Sequence, residues 1–436
     1  MSKILEKAFF VKLEQYLSKN NILYNYQSGF RKGHSTDTCL INLFDYIQCS
    51  ISEGDHVGMV LLDLQKAFDT VNHKILCEKL KLMGVGCIDW FISYLGNRKQ
   101  FVTVNNISSN FGLVTCGVPQ GSILGPLLFL CYINDMPISV TCRLLLYADD
   151  SALLVRGKDA NTIASILSEN LNSCSNWLTD NKLSLHLGKT EAILFGSRRK
   201  LKDAKDFIVK CNDITIKNVK YVKYLGLLID ETLSGEKIVS NILKKASSRL
   251  KFLYRYSEIL NTNSRKTLCS ALIQCYFDYS SSSWYSGINK NLKKKLQIMQ
   301  NKIIRFILNR GNRAHIGCEE LEKVNMLKVS ERVTQNKLSH IHKIWSNSCP
   351  VYMKENFNRI IDTELRNCTR SSRNNFFLPR VQKQAINTFL YSGIKDWNSL
   401  PTSIKQIQNI NTFKDHVKKN LESKARCSET SPFLFF

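Results

Sequence analysis

The residue pattern predicts an α+β chain, and three observations carry that class. Apolar runs of strand length stand at Val57 to Leu64, Leu144 to Tyr147 and Ala152 to Val155, as expected of strands buried in a sheet. The stretch Ala160 to Asn181 is a long amphipathic helix with Ile163, Ile166, Leu167, Leu171, Trp177 and Leu178 on one face. From Lys237 the pattern changes to helices rich in Lys and Arg.

The elements follow in order. Ile4, Leu5, Ala8, Phe9 and Leu13 recur at helical spacing, a polar loop runs from Gln27 to Gly33, and a second helix spans Asp37 to Ile51. After the Val57–Leu64 strand, Asn72 can cap a helix that carries Ile75, Leu76, Leu80 and Leu82. Gln100–Val104 and Asn110–Thr115 read as a hairpin, and Ser122–Asn134 as a buried helix. Leu183–Leu187, Ala192–Phe195, Phe207–Lys217 and Val222–Leu228 read as short strands. Lys244, Lys245, Arg249, Lys251 and Arg255 decorate one basic helix; Lys293, Lys294, Lys295, Lys302, Arg305 and Arg310 decorate another. Gly311–Gly317 is the clearest linker, Thr412 can cap a last helix, and the tail after Glu422 reads as loose.

Composition excludes several classes. The 15 cysteines are scattered without any Cys-x-x-Cys pair, which argues against zinc and for reduced thiols in an intracellular protein. The longest apolar stretch, Ile123 to Ile133, is too short to span a bilayer and contains Gly125 and Pro126. The net charge of +25 is uneven: residues 1–200 hold 20 Lys and Arg against 17 Asp and Glu, and the remainder holds 41 against 19. That surplus suits a polyanion, either nucleic acid or an anionic membrane; with no amphipathic anchor, nucleic acid is favoured.

The acids hold the chemistry. Tyr147-Ala148-Asp149-Asp150 lies between two apolar runs, so two adjacent carboxylates sit at the tip of a predicted hairpin. A polar turn in solvent is the plain alternative. Asp63, however, ends another buried strand, and adjacent strands would bring it against Asp149 and Asp150. Three convergent carboxylates repel and raise one another's pKa. Two divalent ions with hard oxygen ligands resolve that repulsion and suit in-line phosphoryl transfer. Between the acids, Gly117-Val-Pro-Gln-Gly-Ser122 joins two glycines, which allow close backbone approach, to the donor and acceptor of Gln120.

Together these residues resemble the reverse transcriptases of non-long-terminal-repeat retrotransposons, close to the jockey and chicken-repeat types of long interspersed element. The resemblance rests on Gln27-Ser-Gly-Phe-Arg-Lys-Gly-His-Ser-Thr36, Leu62-Asp-Leu-Gln-Lys-Ala-Phe-Asp-Thr-Val71, Gly117-Val-Pro-Gln-Gly-Ser-Ile-Leu-Gly-Pro126 and the Tyr147–Asp150 turn. Lys189-Thr190, Lys223-Tyr-Leu-Gly226, Trp397-Asn-Ser-Leu-Pro401 and Phe413 extend it along the chain. It implies a right-hand polymerase fold with partial fingers, palm and helical thumb, and a mostly helical C-terminal domain. The implied divisions are fingers and palm at 1–235, a basic thumb at 236–312 and a C-terminal retroelement domain at 313–436.

The implied reaction is RNA-directed DNA synthesis onto a primer 3′-hydroxyl, with Asp63, Asp149 and Asp150 holding two Mg²⁺ ions, Mn²⁺ being the other candidate. Phe68, five residues after Asp63, falls where the family places an aromatic gate against the ribose 2′-hydroxyl; core packing is its plain reading. Gln120 and Gly121 line the incoming nucleotide. Lys189 is placed as proton donor to pyrophosphate, or is a surface lysine. Arg31 and Lys32 reach phosphates, or belong to a solvated loop. Asp69 reads as a structural hydrogen-bonding acid. The implied partners are an RNA template, a DNA primer and deoxynucleoside triphosphates, without a membrane, in cytoplasm and nucleus.

Two departures are expected. The family's Asn-Tyr-Arg-Pro-Ile-Ser stretch would precede Ser2, so Met1 falls inside it and the fingers are N-terminally truncated; an upstream endonuclease domain is absent from this chain. The competing reading is a catalytically impaired, transposon-derived remnant that only binds RNA or template–primer.

Overall fold

The computed structural model describes residues 2–204, 206–360 and 374–429. Two compact units divide the chain: Met1–Cys39 with Asp55–Lys220, and Leu40–Gly54 with Tyr221–Phe436.

The first unit is built on a five-stranded sheet of β1 (His56–Leu62), β2 (Arg143–Tyr147), β3 (Asp150–Gly157), β4 (Glu191–Phe195) and β5 (Lys217–Asn218). Their order is β5-β4-β1-β3-β2. The pairings are antiparallel except that of β5 with β4. β1 lies at the centre, with Val57, Met59 and Val60 fully buried, as its uninterrupted apolar run requires. The helix Ala160–Asp180 packs on β1 and β3, and its first turn is capped by Asp159, whose carboxylate accepts from Thr162 N. Gly58 of β1 lets that helix approach, since a Cβ there would stand 2.4 Å from Ile163 Cγ2. The helix His73–Leu82 starts as expected at Asn72, whose side chain accepts from Lys74 N and Ile75 N.

Several local expectations are corrected. The 100–115 hairpin is a ribbon of two short ladders, Lys99–Gln100 with Gly112–Leu113 and Thr103–Val104 with Ile107–Ser108. Asn105 and Asn106 both take positive φ at its tip, which tightens the turn to two residues. Phe207–Lys217 is broken by a similar turn at Asn212 and Asp213, and Val222–Leu228 by one at Leu225 and Gly226. Leu183–Leu187 forms no strand; Leu185 makes one isolated bridge to Leu64. On the first helix, Ser2–Lys19, Ile4 and Leu5 are exposed, and Glu6, Leu13 and Leu17 form the buried face.

The second unit is largely helical. The hairpin Tyr221–Tyr224 with Leu227–Asp230 packs on the basic helix Glu236–Tyr254, which packs on the basic helix Lys290–Ile307. The latter meets the helix Val329–Trp345, and that in turn meets Phe389–Asn398 and Ile410–Glu429. The segments expected as thumb and C-terminal domain both lie in this unit, together with Leu40–Gly54. Asn409, not Thr412, caps the last helix, accepting from Asn411 N and Thr412 N. That helix runs to Glu429, and the tail beyond it lies outside the described residues.

The Trp397–Pro401 motif is core structure. Trp397 is fully buried and donates through Nε1 to Asn374 O, while the Asn398 amide brackets Phe376 with bonds to its N and O. Phe413 stacks on Trp397 at 5.9 Å.

Asp45, on the helix Thr36–Ser52, is half-buried and accepts from Phe389 N at 2.6 Å and Leu390 N at 2.9 Å. Burial raises its carboxyl from 3.8 to about 7, against the lowering effect of the two amides. A pKa higher in the folded state means that protonation favours folding. The contribution is complete below the unfolded value of 3.8 and is lost as pH rises through about 7. The melting temperature of wild type, compared with that of Asp45→Asn, is therefore expected to fall by several degrees between about pH 4 and about pH 8. A difference independent of pH would contradict this assignment.

Candidate polymerase active site

The Asp149–Asp150 pair stands where the hairpin was expected. Tyr147 pairs with Asp150, leaving Ala148 and Asp149 as the two turn residues. Ala148 adopts φ +55, a left-handed conformation that tight hairpins need and that alanine rarely takes. The β1–β3 register then brings in the third acid. Leu62 lies opposite Ser151, so one step further along both strands Asp63 faces Asp150. The backbone of Asp63 is held from its other side, where its carbonyl accepts from His186 N at 2.8 Å.

The three acids also act on one another's charge. Asp150 is exposed, yet nearby protein removes enough water to raise its carboxyl pKa, and the charges of Asp149 and Asp63 raise it further. Among the described residues, no three His, Cys, Asp or Glu side chains are gathered tightly enough to hold a metal ion. The hard oxygen donors and mutual repulsion of the three acids fit a divalent cation.

The other expected residues are distributed around this centre. Lys189 is exposed, with Nζ 3.8 Å from Asp63 Oδ2, because the turn after Leu185 folds back against Asp63. Phe68 is half-buried, stacked on Phe129 at 4.3 Å and edge-on to Phe30 at 6.1 Å, so it does pack as a core aromatic. Gln120 is exposed and donates through Nε2 to Asp69 Oδ1 at 2.9 Å, the structural role expected of Asp69. Gly117 anchors this segment: its N donates to Val71 O, its φ is +88, and a Cβ would stand 2.7 Å from Asp69 O. Gly121 has φ +74 and open space around it. Arg31 turns part of its guanidinium inward, with Nη1 donating to Tyr24 O at 2.7 Å and Gln27 O at 3.2 Å; it ties its own loop together.

Two residues at the site carry no signal in spacing or composition. Glu6 is buried, and its Oε2 accepts from Ile123 N at 2.8 Å, just past Gly121. Gln27 is 2% exposed and bonded to the Ala148 amide. Its place in a polar loop gave no hint of a contact 121 residues away.

Residues 1–229 match the family of reverse transcriptases (RNA-dependent DNA polymerases). This chain belongs to that family, and its fold is the right-hand polymerase fold expected from the motifs. Among its relatives are mobile-element proteins of Drosophila melanogaster. It is 26% identical over 328 residues to the probable RNA-directed DNA polymerase from transposon X-element, covering 73% of this chain and 35% of that protein. It is 28% identical over 356 residues to the corresponding protein from transposon BS, covering 77% and 38%. The RNA-directed DNA polymerase from mobile element jockey is 24% identical over 319 residues, covering 70% and 34%. The chain thus spans about a third of the length of these relatives, and the kinship with jockey-type elements is found. A solved telomerase from Candida tropicalis superposes with a TM-score of 0.40 at 13% identity, covering 78% of this chain and 54% of that one.

Proposed function

We propose that this chain copies RNA into DNA, adding deoxynucleotides to a primer 3′-hydroxyl. The observation that carries the reading is the register of β1 with β3, Leu62 opposite Ser151, which continued one step brings Asp63 toward Asp150, beside Asp149. These three carboxylates would hold two Mg²⁺ ions, or Mn²⁺, which when bound supply charge neutralisation at the triphosphate and activation of the attacking hydroxyl. Phe68, wedged between Phe30 and Phe129, is rigid enough to exclude a 2′-hydroxyl. Gln120, steadied by Asp69, and the open backbone at Gly121 receive the nucleotide. Lys189 delivers a proton to the leaving pyrophosphate. Arg31 orders the loop before Thr36, with Lys32 exposed beside it.

The template–primer duplex is gripped by the second unit. Lys251, Tyr254, Lys302 and Arg305 line a cavity of about 490 Å³ between the helices Glu236–Tyr254 and Lys290–Ile307. Lysines and arginines of this kind bind phosphates without reading bases, so affinity should fall steeply with salt. Among the described residues, no helix is long and apolar enough to cross a membrane. A nucleic-acid substrate of this kind places the protein in cytoplasm and nucleus.

The test is extension of a DNA primer annealed to RNA, with deoxynucleotides and Mg²⁺. Product from the intact chain is expected. Tight, salt-sensitive binding without product would instead identify a binding-only remnant. In the same assay Phe68→Ala should lower discrimination against ribonucleotides by at least about tenfold. Unchanged discrimination would leave Phe68 with packing alone.

A further inference from the structure

The loop that opens the Gln27–Thr36 motif is built against the acidic turn. Gln27 forms a parallel bridge with Leu146 at the end of β2. Leu146 N donates to Tyr26 O at 3.1 Å, and Ser28 N donates to Leu146 O at 2.8 Å. The strip is anchored upstream as well: Tyr24 OH donates to Leu144 O, and Tyr24 N donates to Asn134 Oδ1. Residues 26–28 therefore extend the sheet beside the strand that leads into the acidic turn.

The Gln27 side chain reaches the turn itself. Its Oε1 accepts from Gly29 N at 2.8 Å and from Ala148 N at 3.0 Å. Two donors on one oxygen settle the amide orientation, since the NH₂ end could accept neither bond. Ala148 is 4% exposed, so its N–H has little access to water and needs a protein acceptor. Gly29 closes the other side, because a Cβ there would stand 2.4 Å from Ala148 N. The Nε2 of Gln27 is buried without a partner. An unsatisfied buried donor costs stability, and that cost is set against the two backbone amides the same side chain satisfies. Its bonded half serves the turn.

Resting on the polymerase reading above, we propose that Gln27 is a positioning residue for the paired acids. Its side-chain oxygen holds the Ala148 amide, and with it the left-handed turn that aims Asp149 and Asp150 toward Asp63. Left-handed alanine is disfavoured, and without this bond the turn relaxes and the acids move apart.

The experiment compares wild type with Gln27→Leu, which removes the acceptor, and Gln27→Glu, which keeps one. Single-nucleotide addition by Gln27→Leu is expected to fall about 10- to 100-fold in kcat, since small misplacements at a reacting centre have effects of that size. KM for the deoxynucleotide and affinity for template–primer should stay within about twofold, and Gln27→Glu should recover most of kcat. Hydrogen exchange at the Ala148 amide, read without any substrate, should be roughly tenfold faster in Gln27→Leu. Should Gln27→Leu not fold, Gln27→Asn carries the same readouts, because its amide is one methylene too short. Unchanged exchange, or a loss confined to KM or affinity, overturns the proposal. A wild-type chain that adds no nucleotide overturns the polymerase reading, and the exchange arm still reports whether Gln27 holds the turn.

Discussion

Asp149→Asn is expected to lower nucleotide addition by about 10³-fold or more, with template–primer affinity unchanged. Asparagine keeps the size and shape of the side chain but removes the charge. Asp149 is exposed at the hairpin tip, and its neighbour Asp150 already has its pKa raised in part by the Asp149 charge. Neutralising position 149 relieves that repulsion, so the melting temperature should stay constant or rise slightly. A catalytic acid is marked by this combination of lost activity and undiminished stability. Asp69→Asn is the matched control: it retains an oxygen to accept from Gln120 Nε2 and should stay within about tenfold of wild type. Full activity in Asp149→Asn would remove the basis of the proposed mechanism.

Arg265→Met should destabilise the second unit by about 3–5 kcal/mol, since several charge-assisted bonds worth about 1.5–3 kcal/mol each are lost together and are not fully additive. Arg265 is 7% exposed. Its Nε donates to Leu260 O at 3.0 Å, its Nη2 to Ser257 O at 2.5 Å, and its Nη1 to Phe306 O at 3.1 Å and Asn309 Oδ1 at 3.0 Å. Phe306 belongs to the last turn of the helix Lys290–Ile307, and Ser257 and Leu260 follow the helix Glu236–Tyr254. The guanidinium therefore sits where two helices end, bonded to carbonyls at their C-terminal ends and favoured by the negative ends of both dipoles. Methionine fills the space but removes all four of these bonds. Thermal denaturation should show a loss of roughly 10 °C for a unit of this size. Arg265→Lys should recover only part of it, because an ammonium cannot reproduce the fork. A shift under about 2 °C would contradict the assignment.

The acids were legible because their surroundings are regular. An uninterrupted apolar run can only be a buried segment, and at strand length β1 and the β2–β3 hairpin followed directly, with Asp63, Asp149 and Asp150 at their ends. Asn72 was equally readable, since a cap acts on amides two and three residues away. The broken strands at Asn212 and Leu225 were missed because composition does not report where the chain takes positive φ. The helix at Ile4 and Leu5 followed from its spacing, but which of its faces is buried did not.

By itself, the sequence determined which side chains are the candidates for the chemistry, because charge type and local periodicity are properties of short segments. Only the tertiary structure decided how those side chains are held. The register that brings Asp63 toward Asp150, the Gln120–Asp69 bond, the Gln27 oxygen on the Ala148 amide and the Asp45 carboxylate under Phe389 all join residues distant in sequence. Such contacts depend on chain path and packing, which no local pattern encodes.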